Sequence, residues 1–164
     1  MGLFPPVRPA DAVPKDQFIG LVSCGKAKRP RPCKAGVLYT GGLTKMGIDW
    51  MARNCSRWYI LSALYGLLHP DTVIEPYELK LDDLSKEDRA GWGGAVSISL
   101  AEEANPEGKD LLVLAGGEYL KNLPPQPGRV VPVFGGGMKM GLRMQWLKRN
   151  PVLTKALLST MASA

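Results

Sequence analysis

Four short apolar runs alternate with longer amphipathic segments along the chain. The runs span residues 17–23, 57–62, 110–115 and 129–133, and turn residues or charged residues bound each of them. Short apolar runs with such boundaries predict buried β-strands. Pro132 lies in the last run and predicts an edge position for that strand, because proline cannot donate a hydrogen bond to a neighbour.

The segments between these runs predict helices. Apolar residues recur at helical spacing from Leu43 to Met51, which indicates a helix over residues 43–54. Ser85 is a predicted N-cap, since a hydroxyl accepts a hydrogen bond from the first turn of a helix. Its helix extends to residue 103 and contains three glycines, which weaken it. Further helices are predicted over residues 118–123, 139–149 and 151–160, the last with Asn150 as N-cap and Pro151 as its first residue.

This alternation of strands and helices predicts an α/β fold. We expect a single three-layer domain, residues 17–164, with a mostly parallel sheet of about four strands flanked by helices. Residues 1–16 are rich in proline and poor in large apolar side chains. They predict an extended or disordered N-terminal arm.

The stretch over residues 62–77 is the least generic part of the chain. Gly66 and its two prolines argue against a helix or a central strand, yet its leucines and tyrosines argue against a solvated linker. Apolar loops of this kind often carry function. Its candidate functional residues are Tyr65, Asp71, Glu75 and Tyr77. The alternative is a structural loop whose tyrosines cap the core.

Parallel sheets bind ligands outside the carboxyl ends of their strands. This rule selects four loops, at residues 23–28, 62–77, 115–119 and 134–143. We therefore expect one site where these loops meet, with Gly116 among its substrate-binding or phosphate-binding residues.

The first of these loops carries a cysteine between polar and basic residues. It lacks the spacing of a Walker motif, but Ser23, Gly25, Lys26 and Lys28 are candidates for binding an anion. The lysines favour the thiolate form of Cys24, which makes Cys24 a candidate nucleophile. The alternative is a small buried hydrophobic residue. A pair of Cys24 with His69, the only histidine, is the remaining option; otherwise His69 is a loop residue.

A run of three glycines, residues 135–137, precedes the helix over residues 139–149. Backbone amides at a helix N-terminus attract anions, and Lys139 and Arg143 lie one turn apart on one face. Both are candidate phosphate-binding residues. The alternative is a flexible connector followed by a solvated basic face.

Composition sets the outer limits of function. The chain has 164 residues, a formal net charge of +6 and a pI near 9.3, which favours a polyanionic partner. No apolar run is long enough to span a bilayer, and no secretory signal is recognisable, so we expect no membrane partner and a cytoplasmic location. The three cysteines show neither disulfide nor metal-ligand spacing, so no metal or cofactor is predicted.

Three motifs of the chain resemble a known family. They are Ser23-Cys24-Gly25-Lys26-Ala27-Lys28, Leu38-Tyr39-Thr40 and the segment from Ile60 to Tyr77 with its Tyr65-Gly66-Leu67-Leu68 core. Together they resemble an uncharacterised family of actinobacteria and phages that is distantly similar to the peroxide-stress YaaA proteins. The resemblance covers residues 18 to 147. It implies association with DNA under oxidative stress, although the chain is shorter and lacks a recognisable helix-hairpin-helix.

A weaker similarity links Cys24 and Lys28 to the catalytic domain of archaeosine synthase, which modifies a base in tRNA. It implies chemistry on a nucleobase. The leading hypothesis is therefore a protein directed at a nucleobase, nucleotide or nucleic acid, and an enzyme of base modification or processing. Cys24, Asp71 or Glu75 would act as nucleophile, acid or base, and Tyr65 and Tyr77 would contact the base. The alternative is a non-catalytic DNA-binding protein of the stress response.

Overall fold

The computed structural model describes residues 8–134 and 137–161. The strands within these residues are β1 (Ile19–Ser23), β2 (Cys33–Lys34), β3 (Arg57–Ser62), β4 (Gly66–Leu68), β5 (Val73–Ile74), β6 (Leu111–Leu114) and β7 (Val130–Pro132). The helices are α1 (Ala35–Leu38), α2 (Gly42–Asn54), α3 (Lys86–Ser99), α4 (Gly117–Asn122), α5 (Met140–Arg149) and α6 (Lys155–Leu158). A 3₁₀ turn covers Leu81–Asp83, and a π-helical segment, Leu100–Ala104, extends α3.

The strands form a five-stranded sheet in the order β4-β3-β1-β6-β7. Every pair in it is parallel except β3 with β4, which is antiparallel. The predicted α/β class and mostly parallel sheet are confirmed. The four predicted strands correspond to β1, β3, β6 and β7, and β7 lies at the edge that Pro132 indicated.

Helices cover both faces of the sheet because successive side chains of each strand point to opposite sides. On one face, Val22 of β1 belongs to a core that also contains Met51 of α2 and Leu147 of α5. On the other face, Leu21 of β1 packs in a core with Val96 of α3. Three layers result.

The sheet contains a fifth strand that the sequence did not predict. The glycine and prolines over residues 62–77 argued against a helix or a central strand. β4 lies at an edge of the sheet, which agrees with that expectation. Gly66 turns the chain with φ +74°, a value that favours glycine, and pairs with Ser62. Ile74 then pairs with Cys33 in a separate two-stranded antiparallel ribbon of β2 and β5.

The predicted helix cap at Asn150 is wrong. The Asn150 side chain donates to the Trp146 carbonyl at 3.0 Å, so it closes the C-terminus of α5 instead of opening a new helix. The last helix, α6, begins later and is capped by Thr154, whose hydroxyl accepts from Leu157 N. By contrast, the predicted cap at Ser85 is confirmed, since its hydroxyl accepts from Asp88 N at 3.0 Å.

The end of the predicted N-terminal arm lies against the body of the protein. Val13 is buried, and its backbone amide donates to the Leu153 carbonyl at 2.9 Å. The Arg8 side chain donates to the Val13 carbonyl and to Asn54 Oδ1. Residues 1–7 of the arm lie outside the described residues.

In the described ranges 8–134 and 137–161, no helix combines the length and the apolar character needed to cross a bilayer.

The three glycines of α3 differ in what surrounds them, and this generates a prediction. A Cβ added at Gly93 would lie 1.9 Å from the Asn122 carbonyl oxygen, whereas one added at Gly91 meets no described heavy atom within 4 Å. We expect Gly93→Ala to destabilise the protein by about 1–3 kcal/mol, because α4 must move away from α3.

The matched control is Gly91→Ala, which adds the same methyl group to the same helix at an exposed position. It should be neutral or stabilise by about 0.5–1 kcal/mol, since alanine is the better helix former. Urea denaturation of both variants measures the difference. Equal free energies of unfolding would contradict the close packing of α3 on α4.

Candidate functional site

The carboxyl ends of β1, β3 and β6 meet at one edge of the sheet, and two cavities open there. We call the first the apolar cavity; it has a volume of about 290 Å³. Its lining residues are Val22, Ser23, Cys24, Leu43, Thr44, Gly47, Leu114, Ala115, Gly116, Tyr119, Phe134, Arg143 and Leu147. Apolar and small side chains predominate, and Arg143 is the lining residue with a formal charge.

We call the second the charged cavity; it has a volume of about 300 Å³. Its lining residues are Cys24, Gly25, Lys26, Lys28, Glu78, Leu79, Lys80, Asp83 and Tyr119. Both lysines and carboxylates belong to its lining. The charged cavity therefore suits an ionic or strongly polar group.

Cys24 and Tyr119 line both cavities. The Cys24 thiol and the Tyr119 hydroxyl form a hydrogen bond of 3.1 Å. The two side chains together form a wall that belongs to both cavities. The Tyr119 ring packs edge-on against Trp92 at 5.6 Å between centroids. Trp92 in turn donates from Nε1 to the Ser62 carbonyl at 2.9 Å, which ties this wall to the end of β3.

Burial has a direct electrostatic effect on Tyr119. It raises the pKa of the phenol above the usual range, and a negative charge on Cys24 raises it further. Tyr119 is therefore a neutral hydroxyl near pH 7, able to donate a hydrogen bond to the Cys24 sulfur.

A chain of buried hydroxyls lies next to this wall. Ser62 Oγ donates to the Tyr77 hydroxyl at 2.6 Å, and the hydroxyls of Tyr77 and Tyr39 are hydrogen-bonded at 2.7 Å. Ser62 Oγ also accepts from Tyr65 N at 3.0 Å. Burial raises the pKa of Tyr39 to about 12 and that of Tyr77 above its usual range, so both rings stay neutral.

Lys28 rests on the same tyrosines. Its ammonium lies 4.5 Å from the centroid of the Tyr77 ring and 5.8 Å from that of Tyr39, and it donates to the Lys26 carbonyl at 2.9 Å. Desolvation lowers the pKa of Lys28, while the charges of Cys24 and Glu78 act in the opposite direction. The aromatic faces and the carbonyl hold the cation in one place at the edge of the charged cavity.

The structure brings together most of the residues that the sequence singled out. Ser23, Gly25, Lys26, Lys28, Gly116 and Arg143 all line a cavity that Cys24 also lines. The Lys28 ammonium lies over the ring of Tyr77. The glycine at position 25 has a steric explanation, because a Cβ there would lie 2.4 Å from Thr44 Oγ1.

Four other predicted residues lie apart from these cavities. Tyr65 is 42% exposed and meets Tyr77 edge-on at 5.5 Å, and Lys139 is exposed. Asp71 and Glu75 are exposed and are not among the described residues that line either cavity. Asp71 lies 3.9 Å from Lys34 instead. The functional roles of all four stay predictions.

His69 also lies outside this group. Its ring packs edge-on against Tyr59, with 5.8 Å between centroids, and its Nδ1 accepts from Asp71 N at 3.1 Å. These contacts are those of a loop residue that stabilises its own turn. Within the described residues, no three His, Cys, Asp or Glu side chains gather as metal ligands.

Several lining residues escaped the sequence reasoning. Tyr119 and Phe134 lie in two of the four loops selected by the strand-end rule, so that rule contained the signal that could have found them. Thr44, in the first turn of α2, could have been found from the same rule applied to the helix after β1. Nothing in the sequence marked the segment from Glu78 to Asp83.

Comparison with known proteins places this site in a family. The sequence pattern of a family of unknown function, DUF6884, matches residues 19–149, which include all the lining residues of both cavities. The chain belongs to this family. Its matched region thus begins at β1 and ends with α5, the elements that carry the site in this DUF6884 member.

The chain is also similar to proteins named UPF0246. It is 34% identical over 124 residues to one from Ruegeria sp. (strain TM1040), covering 68% of this chain and 47% of the relative. It is 32% identical over 120 residues to one from Shewanella woodyi, covering 67% and 47%. It is 32% identical over 112 residues to one from Aliivibrio fischeri (strain MJ11), covering 60% and 42%.

The chain therefore spans less than half the length of these curated relatives. UPF0246 is the YaaA family, so the predicted resemblance to YaaA proteins is confirmed at that level. The actinobacterial or phage affiliation and the similarity to archaeosine synthase stay predictions.

The position of Cys24 between two cavities generates a prediction about its reactivity. Cys24 is partly exposed, whereas Cys55 is 2% exposed and burial raises its pKa to about 12. A short pulse of iodoacetamide near neutral pH should therefore alkylate Cys24 and leave Cys55 unmodified, because the thiolate is the reacting form.

Peptide mass spectrometry measures the labelling of each cysteine. Cys55 is the internal control and should react only after denaturation. If Cys24 also stays unlabelled until the protein unfolds, it is a packing residue and no nucleophile.

The hydroxyl chain generates a second prediction. Tyr77→Phe removes the group that joins Ser62 to Tyr39, both of which are buried. We expect a loss of about 1–3 kcal/mol in the free energy of unfolding, because two buried hydroxyls lose a partner. Tyr65→Phe removes the same group from an exposed tyrosine and should cost less than about 0.5 kcal/mol. Guanidinium denaturation that gives both variants the same stability would contradict the buried network.

Proposed function

We propose that the protein acts on a nucleobase, a nucleotide or a nucleic acid, as an enzyme of base modification or processing at the carboxyl edge of its sheet. One observation carries the proposal. A partly exposed thiol, Cys24, stands in the wall common to an apolar and a charged cavity, with a phenol donor on one side and lysines on the other.

The chemistry of this thiol supports an enzymatic role. A cysteine becomes a nucleophile when neighbouring donors and cations favour the thiolate. The Tyr119 hydroxyl is hydrogen-bonded to the sulfur, and Lys28 lies close enough for its charge and that of Cys24 to act on each other. Glu78 and Asp83 are carboxylates that line the charged cavity and are candidates for proton transfer there, while Asp71 and Glu75 are exposed and are not among its described lining residues.

The charges around the thiol support an anionic substrate. Lys26, Lys28 and Arg143 line the two cavities, and ammonium and guanidinium groups form strong charge-assisted bonds to phosphate. Ser23, Gly25 and Gly116 leave the backbone accessible to a ligand there. Lys139 and Tyr65 are exposed nearer the periphery and would contact a longer substrate such as a nucleic acid.

A non-catalytic role in DNA binding is the second candidate, and a separate observation favours it. Lys26, Arg29, Arg31 and Lys34 are all exposed within one short stretch, on a chain with a net charge of +6. Clustered surface cations bind the phosphate backbone of DNA without reading its sequence. The names of the UPF0246 relatives state no ligand and do not separate the two candidates.

We also propose a cytoplasmic location. All three cysteines lie in the described part of the chain as free thiols, and proteins of reducing compartments keep their cysteines in that state.

The decisive variants are Lys28→Ala and Arg143→Ala. Each should weaken binding of the four ribonucleoside 5′-monophosphates about ten-fold or more, since hydrogen bonds to charged groups contribute about 1.5–3 kcal/mol. The melting temperature should change by less than about 4 °C, because partly exposed charges contribute little to folding. Calorimetry gives the affinities.

Lys148→Ala is the matched control, since Lys148 lies exposed on the same helix as Arg143. Binding should also weaken as the pH rises toward the pKa of Lys28, which lies below 10.5, because the lysine then loses its charge. If both site variants bind as well as the wild type, the basic residues are only a solvated surface. If mononucleotides fail to bind while long DNA binds with steep salt dependence, the non-catalytic candidate is correct.

A further inference from the structure

The structure points to a division of labour between the two cavities, which rests on the proposed function. We propose that they are two halves of one nucleotide site. The apolar cavity takes the heteroaromatic ring, the charged cavity takes the phosphate, and Cys24 faces the part of the substrate that joins them.

The first step of the argument concerns the tyrosines. The sequence suggested that Tyr77 stacks on a base, but the Lys28 ammonium lies 4.5 Å from the centre of its ring, and Tyr65 packs on it edge-on. Its hydroxyl is engaged with Ser62 and Tyr39. Tyr77 therefore supports Lys28, and that ammonium already occupies a position over its ring.

The apolar cavity offers a better surface for a ring. Apolar side chains form most of its wall, and Phe134 and Tyr119 supply aromatic groups. Flat heteroaromatic rings bind in such pockets with a few polar groups that fix their orientation. Arg143 is such a group, and the division between the cavities assigns it to the ring instead of the phosphate. Its Nε donates to the Met138 carbonyl at 2.8 Å and its guanidinium lies 5.3 Å from the Phe134 ring. These two contacts hold the guanidinium at the cavity, where its terminal nitrogens can donate to a ring edge.

The charged cavity offers a better surface for the phosphate. Lysines outnumber carboxylates in its lining, three (Lys26, Lys28 and Lys80) to two (Glu78 and Asp83). The Lys28 ammonium is held in place by an aromatic ring and a carbonyl before any ligand arrives. A cation positioned in advance loses little conformational entropy when it binds phosphate.

The shared wall then fixes where the thiol acts. A ligand that occupies both cavities would lie against Cys24 and Tyr119, because these residues line both. The linkage between ring and phosphate therefore lies beside the sulfur. If the substrate is a nucleic acid, its base must leave the stack to enter the apolar cavity. Tyr119 is a positioning residue that orients the thiol.

The test uses two neighbouring glycines. Gly116 lines the apolar cavity, has ordinary backbone angles (φ −69°, ψ 161°) and accepts a Cβ that meets no described heavy atom within 4 Å. Gly116→Leu should therefore obstruct that cavity without backbone strain. Gly117→Leu is the matched control, since Gly117 is exposed, equally open and not among the described lining residues.

The probes are the four common ribonucleosides, their 5′-monophosphates and ribose 5-phosphate, measured by calorimetry. Gly116→Leu should weaken nucleosides and monophosphates at least ten-fold and leave ribose 5-phosphate unchanged. Lys28→Ala should weaken monophosphates and ribose 5-phosphate at least ten-fold and leave nucleosides unchanged. Gly117→Leu should change none of them.

Other outcomes overturn the assignment. If Gly116→Leu spares nucleosides, or if Lys28→Ala weakens nucleosides as much as monophosphates, the division between cavities is wrong while nucleotide binding still stands. If the wild type binds none of the probes and no single-stranded oligonucleotide, the proposed function itself fails. Should Gly116→Leu not fold, Gly47→Ala decides, because its added Cβ lies in ordinary contact, 3.5 Å from Val22 Cγ1, at the wall of the same cavity.

Discussion

The parallel pairing of β1 with β3 on one side and with β6 on the other determines where the strand ends that carry the candidate site lie. The ladder continues one residue past β1, since Cys24 N donates to the Leu61 carbonyl at 2.8 Å, and this bond fixes the backbone of the cysteine. Gly20 lets α2 lie directly on β1, because a Cβ there would come within 2.4 Å of Met51 Sδ. The first turn of α2 thereby reaches the sheet edge, where Gly25 makes room for Thr44. Gly20, Gly25 and the hydrogen bonds between β1 and β3 thus position the backbone at the base of the candidate site.

The fold could be predicted from the sequence wherever a strand is a continuous apolar run. β1, β3, β6 and β7 are such runs. Strands of a parallel sheet are buried on both faces, which explains why their sequences are almost continuously apolar. β4 and the ribbon of β2 with β5 have no such run. They form because tertiary partners are available, as where Leu68 pairs with Ile60, and periodicity does not encode a partner. Asn150 failed as a predicted cap for a different, local reason, since its bond to Trp146 closes α5 and competes with a new helix.

The candidate site was predictable as far as the strand-end rule extends. That rule selected the loop around Cys24 and the segments that hold Gly116 and Arg143. It did not separate Asp71 and Glu75 from Tyr77, because these residues share one stretch of sequence. The structure separates them through β5, whose pairing with β2 carries Asp71 toward Lys34 before the chain returns to Tyr77. The carboxylates of the charged cavity arrive on an irregular segment after Tyr77, and a single sequence offers no pattern by which to recognise them.

The electrostatics of Lys28 connect the fold to the proposed chemistry. Desolvation lowers its pKa, so folding places this cation where it is less favourable than in water. The Tyr77 ring and the Lys26 carbonyl offset part of this desolvation cost, and the charges of Cys24 and Glu78 offset a further part. An anion bound in the charged cavity would favour the protonated lysine further, and by linkage the pKa of Lys28 would then rise. The same ligand would stabilise the folded state, since it binds only where the tyrosines hold the ammonium in place. Under the proposed function, a lysine desolvated beside a thiol would be a site prepared for a negative charge, at an energetic cost to the unliganded fold.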